Sequence, residues 1–89
     1  MSGTEDSPIE YPCDFPVKAM GLATDDIEQI FLDIVRTHLP HQESFDIKHK
    51  NSSSGKYLSV TIVLRPINRE QLDAVYDALT AHEKILMRL

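Results

Sequence analysis

Apolar residues recur along this chain with two periods, and the order in which those periods alternate is its strongest constraint. Phe15, Val17 and Ala19 alternate with Pro16, Lys18 and Met20, the period of a strand, as far as Gly21. Ile27, Ile30, Phe31, Ile34 and Val35 then fall at helical spacing and form one stripe. Phe45, Ile47 and His49 return to period two against Asp46, Lys48 and Lys50, and Asn51 to Gly55 has the composition of a turn. The strongest strand follows, with Leu58, Val60, Ile62 and Leu64 on one face and Tyr57, Ser59, Thr61, Val63 and Arg65 on the other. Leu72, Val75, Tyr76 and Leu79 line a second helix. Ile85, Met87 and Leu89, alternating with Lys84, Leu86 and Arg88, predict a last strand. The order is β-α-β-β-α-β.

Local signals punctuate this order. Thr24 is placed to cap the first helix, and Asp25, Asp26 and Glu28 put carboxylates near the positive end of its dipole. Pro40 closes that helix, because the residue before a proline is driven out of the α region. Pro66 stops the strong strand, and Asn68 with Gln71 three residues on resembles a capping box for the second helix.

Two single-stripe helices and a sheet apolar on one side are satisfied together when both helices cover one face of an antiparallel sheet. Right-handed crossovers then place the first and third strands at the centre. The predicted fold is α+β, a ferredoxin-like βαββαβ sandwich with a four-stranded antiparallel sheet and two helices on one face. Its expected core is Val17, Ala19, Ile27, Ile30, Phe31, Ile34, Phe45, Ile47, Leu58, Val60, Ile62, Leu72, Val75, Leu79, Ile85 and Met87. At 89 residues this is a single domain, read as 11–89, behind a polar, acidic tail at 1–10 expected to be disordered.

The uncovered face of the sheet is the surface of interest. Alternation puts Lys18, Met20, Lys48, Tyr57, Ser59, Thr61, Val63, Arg65, Leu86 and Arg88 there. Of nine basic residues, seven (Lys18, Lys48, Lys50, Lys56, Arg65, Lys84 and Arg88) lie in or beside strands, although the chain carries a net charge of −5. An acidic chain thus presents a basic, partly apolar sheet. Met20, Val63 and Leu86 form an apolar strip on it that pairing of two copies would hide, so a homodimer is one expectation.

Composition narrows the function classes. A pI of about 5.2 argues against general nucleic-acid affinity, whose usual footprint is a basic domain. Cys13 is the single cysteine, and no apolar run approaches the ~20 residues of a membrane span. With no signal-peptide layout at the N-terminus, the expected location is cytoplasmic. A chain this short has no room for a deep cleft between lobes, and an enzyme is not expected.

The individual motifs agree. Cys13 as a nucleophile would need a base within reach, and no histidine is its neighbour in sequence. His38 and His41 are separated by Pro40 at a helix end, so no metal is expected; nor is any other cofactor. Ser52, Ser53, Ser54, Gly55 and Lys56 lack the phosphate-loop pattern and lead into a strand; they read as a hairpin turn, with a backbone anion nest as the alternative. RNA-recognition modules share the βαββαβ order but stack bases on aromatics of the central strands, where this chain offers only Tyr57.

Two stretches resemble a known family. Tyr11-Pro12-Cys13-Asp14-Phe15-Pro16-Val17-Lys18-Ala19-Met20-Gly21 is similar to the N-terminal signature of the small bacterial YbeD-like proteins, roughly aromatic-Pro-x-x-Phe-x-x-Lys-x-Met-Gly. The run from Asn51 to Ile62 resembles their second signature, Ser-Ser-x-Gly-x-Tyr-x-Ser-Val, and the short end from Lys84 to Leu89 also fits. The resemblance implies a ferredoxin-like fold close to the ACT-type regulatory domains that bind amino acids, and a lipoate-associated regulatory role. Lys18, Gly21, Ser52, Ser53, Gly55, Tyr57 and Ser59 match the family pattern, and no catalytic role travels with them. The ACT-like comparison also directs attention to Gly21, where strand hands over to helix and free amides can meet a carboxylate; Asp25 and Asp26 oppose this.

The sequence therefore predicts a non-enzymatic regulatory module that binds a small carboxylate metabolite, lipoate-related by resemblance, or a protein partner. The candidate residues are Lys18, Gly21, Ser52, Ser53, Gly55, Tyr57, Ser59 and Arg65. The alternatives are an RNA-binding module using the basic face and an enzyme with Cys13 as nucleophile.

Overall fold

The computed structural model describes residues 13–88, so the tail expected over 1–10 lies outside the described residues. The strands are β1 (Phe15–Leu22), β2 (Ile47–Asn51), β3 (Tyr57–Leu64) and β4 (Met87–Arg88); the helices are α1 (Ile27–His38) and α2 (Arg69–Ala81). They form one sheet in the order β2-β3-β1-β4, with every pair antiparallel. This is the predicted ferredoxin-like sandwich, with β1 and β3 central.

β1 and β3 pair along their whole length, from Phe15 opposite Leu64 to Leu22 opposite Tyr57. The register puts Val17 beside Ile62 and Ala19 beside Val60, all four fully buried under the helices. α1 adds Ile27, Phe31 and Val35, one per turn on a single stripe, and α2 adds Leu72, Val75 and Leu79. Burying each of these large side chains stabilises the fold by roughly 1.5–3 kcal/mol. Ile30, Ile34, Phe45, Ile47 and Leu58 pack against this centre without being fully enclosed, whereas Leu39 and Leu64, absent from the expected core, are fully buried. Leu39 sits at the C-cap of α1, its amide bonded to the Val35 carbonyl at 2.7 Å, so its side chain continues the stripe after the helix has ended.

α2 begins as expected: Asn68 Oδ1 accepts from the Gln71 amide at 2.9 Å, and Gln71 Oε1 reaches back to the Ile67 amide at 3.0 Å. The start of α1 corrects the sequence reading. Its N-cap is Asp26 rather than Thr24, and no side chain caps it. The chain first makes a turn, with the Asp25 amide donating to the Leu22 carbonyl at 3.0 Å, and this carries Thr24 off the helix.

The last strand is the larger correction. The sequence pattern predicts a strand with Ile85 and Met87 pointing inward; instead β4 is only Met87 and Arg88. A turn precedes it, in which the Ile85 amide donates to the His82 carbonyl at 3.1 Å. Ile85 is buried by that turn and not by a pleat, so the alternation restarts after it. Met87, expected in the core, lies opposite Met20 instead and is 52% exposed. Arg88, expected on the bare face, lies opposite Ala19 on the helix side, where its guanidinium bonds Thr80 Oγ1 and sits 5.7 Å from the centroid of the Tyr76 ring.

Gly21 makes this arrival possible. A Cβ there would stand 2.5 Å from the Lys84 carbonyl oxygen and closer still to Ile27 Cδ1. No side chain fits between β1, the first turn of α1 and the segment entering β4.

Between α1 and β2 the chain is irregular, and Gln42 straps it down. Its amide nitrogen donates to the Val63 carbonyl at 3.0 Å and the Ser44 carbonyl at 3.1 Å, while its oxygen accepts from the Arg65 amide at 2.8 Å. One side chain thereby serves backbone groups at the end of β3 that β2 is too short to reach.

Candidate site on the open face of the sheet

The division of β3 predicted by alternation is observed. Val60 and Ile62 are fully buried, while Ser59 and Thr61 are half-buried on the other side. The register then decides which side chains share a row across that side. Thr61 lies between Lys18 on β1 and Lys48 on β2; one row on, Ser59 lies between Met20 and Lys50, with Met87 beyond Met20. Strands are about 4.8 Å apart, so the Lys18 and Lys48 backbones straddle Thr61 at about 10 Å. Lysine side chains at that separation can meet over a single small anion.

Lys18, Lys48 and Lys50 are exposed. None takes part in the ion pairs found among the described residues, which join His49 to Glu28, Arg65 to Asp14, Arg69 to Asp73 and Lys84 to Asp25. The three lysines, with Ser59 and Thr61, line a shallow depression; an adjoining one is bounded by Lys18, Lys50, Met20, Asn51, Ser52 and Tyr57. The arrangement offers ammonium groups and hydroxyls for a carboxylate, beside the apolar surface of Met20 and Tyr57.

The remaining candidate residues are distributed around this patch. Tyr57 is half-buried, with Lys56 Nζ 5.5 Å from its ring centroid. Arg65 lies at the far end of β3, paired with Asp14 at 2.5 Å. Gly21 is buried on the helix side, beneath Ile27 and the Lys84 carbonyl.

Ser52 and Gly55 shape the β2–β3 turn. Ser52 Oγ accepts from the Tyr57 amide at 3.1 Å, its carbonyl accepts from the Gly55 amide at 2.9 Å, and Gly55 has φ of 76°. The Lys56 amide donates to Ser54 Oγ at 3.3 Å, so the amides of Gly55, Lys56 and Tyr57 are already used within the turn and are not free to form a nest. Ser53 is exposed beside them.

Lys50 and Lys48 join Lys18 only through the register. Alternation marks Lys18 and Lys48 as outward, but the adjacency of all three depends on the β2–β3 pairing, which the short turn from Ser52 to Lys56 sets. His49, between the two lysines, points to the other side, where its Nε2 contacts Glu28 Oε1 of α1. No group of three or more His, Cys, Asp or Glu side chains able to hold a metal occurs among the described residues, and no helix among them is long and apolar enough to cross a membrane. Cys13 lies partly exposed just ahead of β1.

Comparison with known proteins agrees with this architecture. The solution structure of protein HP0495 from H. pylori superposes with a TM-score of 0.76 over 94% of this chain and 88% of that one, at 18% identity, which establishes the fold. A UPF0250 protein of Nitrosomonas europaea is 42% identical over 97% of this chain and 99% of its own length. Another from Janthinobacterium sp. (strain Marseille) is 45% identical over 90% and 88%. These relatives bear out the YbeD-like resemblance, and none of their names specifies a reaction or a ligand. The model of the family described as "Protein of unknown function (DUF493)" matches residues 6–89, and the chain belongs to that family.

Proposed function

We propose that this protein is a non-catalytic, ACT-like regulatory module that takes a small carboxylate ligand on the open face of its sheet. The observation that carries the reading is the clustering of Lys18, Lys48 and Lys50 in adjacent rows of one face, in a chain whose net charge is −5. Like charges placed together raise the energy of the empty protein, and an anion lying among them relieves it. Ser59 and Thr61 supply hydroxyl donors between the ammonium groups, and Met20 with Met87 offers apolar surface to an aliphatic chain. A carboxylate on an aliphatic chain, of which a lipoate-related acid is one example, has the matching polarity.

The test is a titration of isotope-labelled protein with a panel of aliphatic and amino-acid carboxylates. Ligands of this class shift the amides of Lys18, Ser59 and Thr61, and Lys18→Glu weakens them at least tenfold, equivalent to about 1.4 kcal/mol. The variant keeps its thermal midpoint, because Lys18 is exposed and has no ionic partner among the described residues. Undiminished binding in Lys18→Glu would reject the site. RNA is separated from this reading by a steep salt dependence of binding, with slope set by the number of phosphates contacted.

A further inference from the structure

The chain carries its own carboxylates next to this face. Residues 1–12 contain Glu5, Asp6 and Glu10 and no lysine, arginine or histidine. They enter the fold through Cys13, directly ahead of β1, the strand that bears Lys18. The opposite surface does not complement them. The exposed side of α1 and α2 sets Asp33, Glu70, Asp73 and Asp77 against Arg36 and Arg69, and Arg69 is already paired with Asp73. An acidic segment is repelled there.

We infer that residues 1–12 act as an intramolecular occupant of the open sheet face, their carboxylates competing with an external anion for Lys18, Lys48 and Lys50. Chain geometry selects which acids serve. From Cys13 to Lys18 along an extended strand is about 17 Å, while the seven bonds from Asp6 to Cys13 span up to about 24 Å. Glu5 and Asp6 therefore reach the lysines after the chain doubles back, and Glu10, about 10 Å from Cys13 at full stretch, meets at most the near edge. A short tether holds its end at an effective concentration on the order of millimolar, so a segment with millimolar affinity for the face occupies it about half the time and weakens an external ligand about twofold. This regulation rests on reading the open face as the binding surface; the docking itself does not require an external ligand.

The experiment uses the full chain. In a Cys13→Ser background a nitroxide is attached next to Glu5 and Asp6 through Ser7→Cys, and paramagnetic broadening of the amides is measured. The expected result is broadening of Lys18, Lys48, Ser59 and Thr61 in excess of Asp73 and Asp77, abolished by about 0.5 M salt and by Glu5→Gln with Asp6→Asn. Equal broadening of both faces, or broadening that survives salt and neutralisation, overturns the inference. Acetate or an aliphatic carboxylate that displaces the label supports competition at one site; a ligand that binds Lys18 without displacing it overturns the competition while leaving the ligand site standing. No carboxylate binding, with label docking intact, rejects the ligand reading alone.

Discussion

Replacing Gly21 with alanine adds one methyl group at the most crowded point of the fold, and its cost can be worked from the contacts. The new Cβ would stand 2.5 Å from the Lys84 carbonyl oxygen and closer still to Ile27 Cδ1, both well inside van der Waals contact. Ile27 is fully buried in the first turn of α1, so its side chain cannot swing out into solvent without giving up core contacts. The carbonyl belongs to the turn that feeds β4, just ahead of the Leu86 amide that donates to the Met20 carbonyl at 2.8 Å. Overpacking of this kind costs about 1–3 kcal/mol. The smaller entropy of an unfolded chain with alanine returns about 0.4–1 kcal/mol. A net loss of about 2 kcal/mol follows at the upper end of that range, or a fall in Tm of about 8–16 °C for a domain this small. Urea unfolding followed by far-UV circular dichroism measures it, with a lower midpoint at unchanged slope. Hydrogen exchange should accelerate most at Leu86 and Met87, because the Lys84 backbone that must yield leads directly into them and the Leu86 amide is bonded to Met20, next to the substituted residue. Adding Ile27→Val removes Cδ1 and recovers only part of the loss, since the carbonyl stays. Gly21→Ala as stable as the parent would refute the close-approach argument; full recovery by Ile27→Val would refute the part assigned to the carbonyl.

Two further substitutions test other parts of the fold. Gln42→Ala removes the hydrogen bonds that tie the α1–β2 loop to Val63 and Arg65, with a third to Ser44 inside the loop, and should cost about 1–3 kcal/mol in the same unfolding assay; a change below about 0.5 kcal/mol would show that the strap adds nothing. Ile85→Ala should cost about 2–5 kcal/mol and Met87→Ala under about 1 kcal/mol, because Ile85 is buried and Met87 is half out in solvent; equal losses would restore the strand phase in which both point inward.

The sequence is legible where one physical signal acts alone. β3 alternates over eight residues between Gly55 and Pro66, and no other register satisfies both faces, so Val60, Ile62, Ser59 and Thr61 lie as read. The α2 cap is equally plain, since Asn68 and Gln71 are the one suitable pair there. Ambiguity arises where several residues could do the same job. Thr24, Asp25 and Asp26 all favour an N-cap, and the choice among them rests on a backbone turn to Leu22 that composition does not encode. The role of Gly21 is hidden because the atoms that exclude a side chain belong to Ile27, across a turn, and to Lys84, near the other end of the chain.

The same ambiguity at β4 decides the character of the open face. Ile85, Met87 and Leu89 fit a period-two pattern, but with only three apolar positions a turn that delivers Ile85 and then resets the phase fits as well. The reset exchanges Met87 for Arg88: the guanidinium turns to the exposed flank of α2, to Thr80 and Tyr76, and the thioether comes out beside Met20. A face read as basic and partly apolar, with Arg88 on it, therefore becomes graded, with Lys48 and Lys50 at the β2 edge, Lys18 and Met20 on β1 near the middle and Met87 at the β4 edge. On the proposed reading, that gradient orients the ligand, its carboxylate toward β2 and its aliphatic part toward β4. Met87→Lys, which extends the charge to the second edge, should then weaken a long-chain carboxylate while leaving acetate unchanged, and a matched response from both in the labelled-protein titration would remove the orientation from the reading.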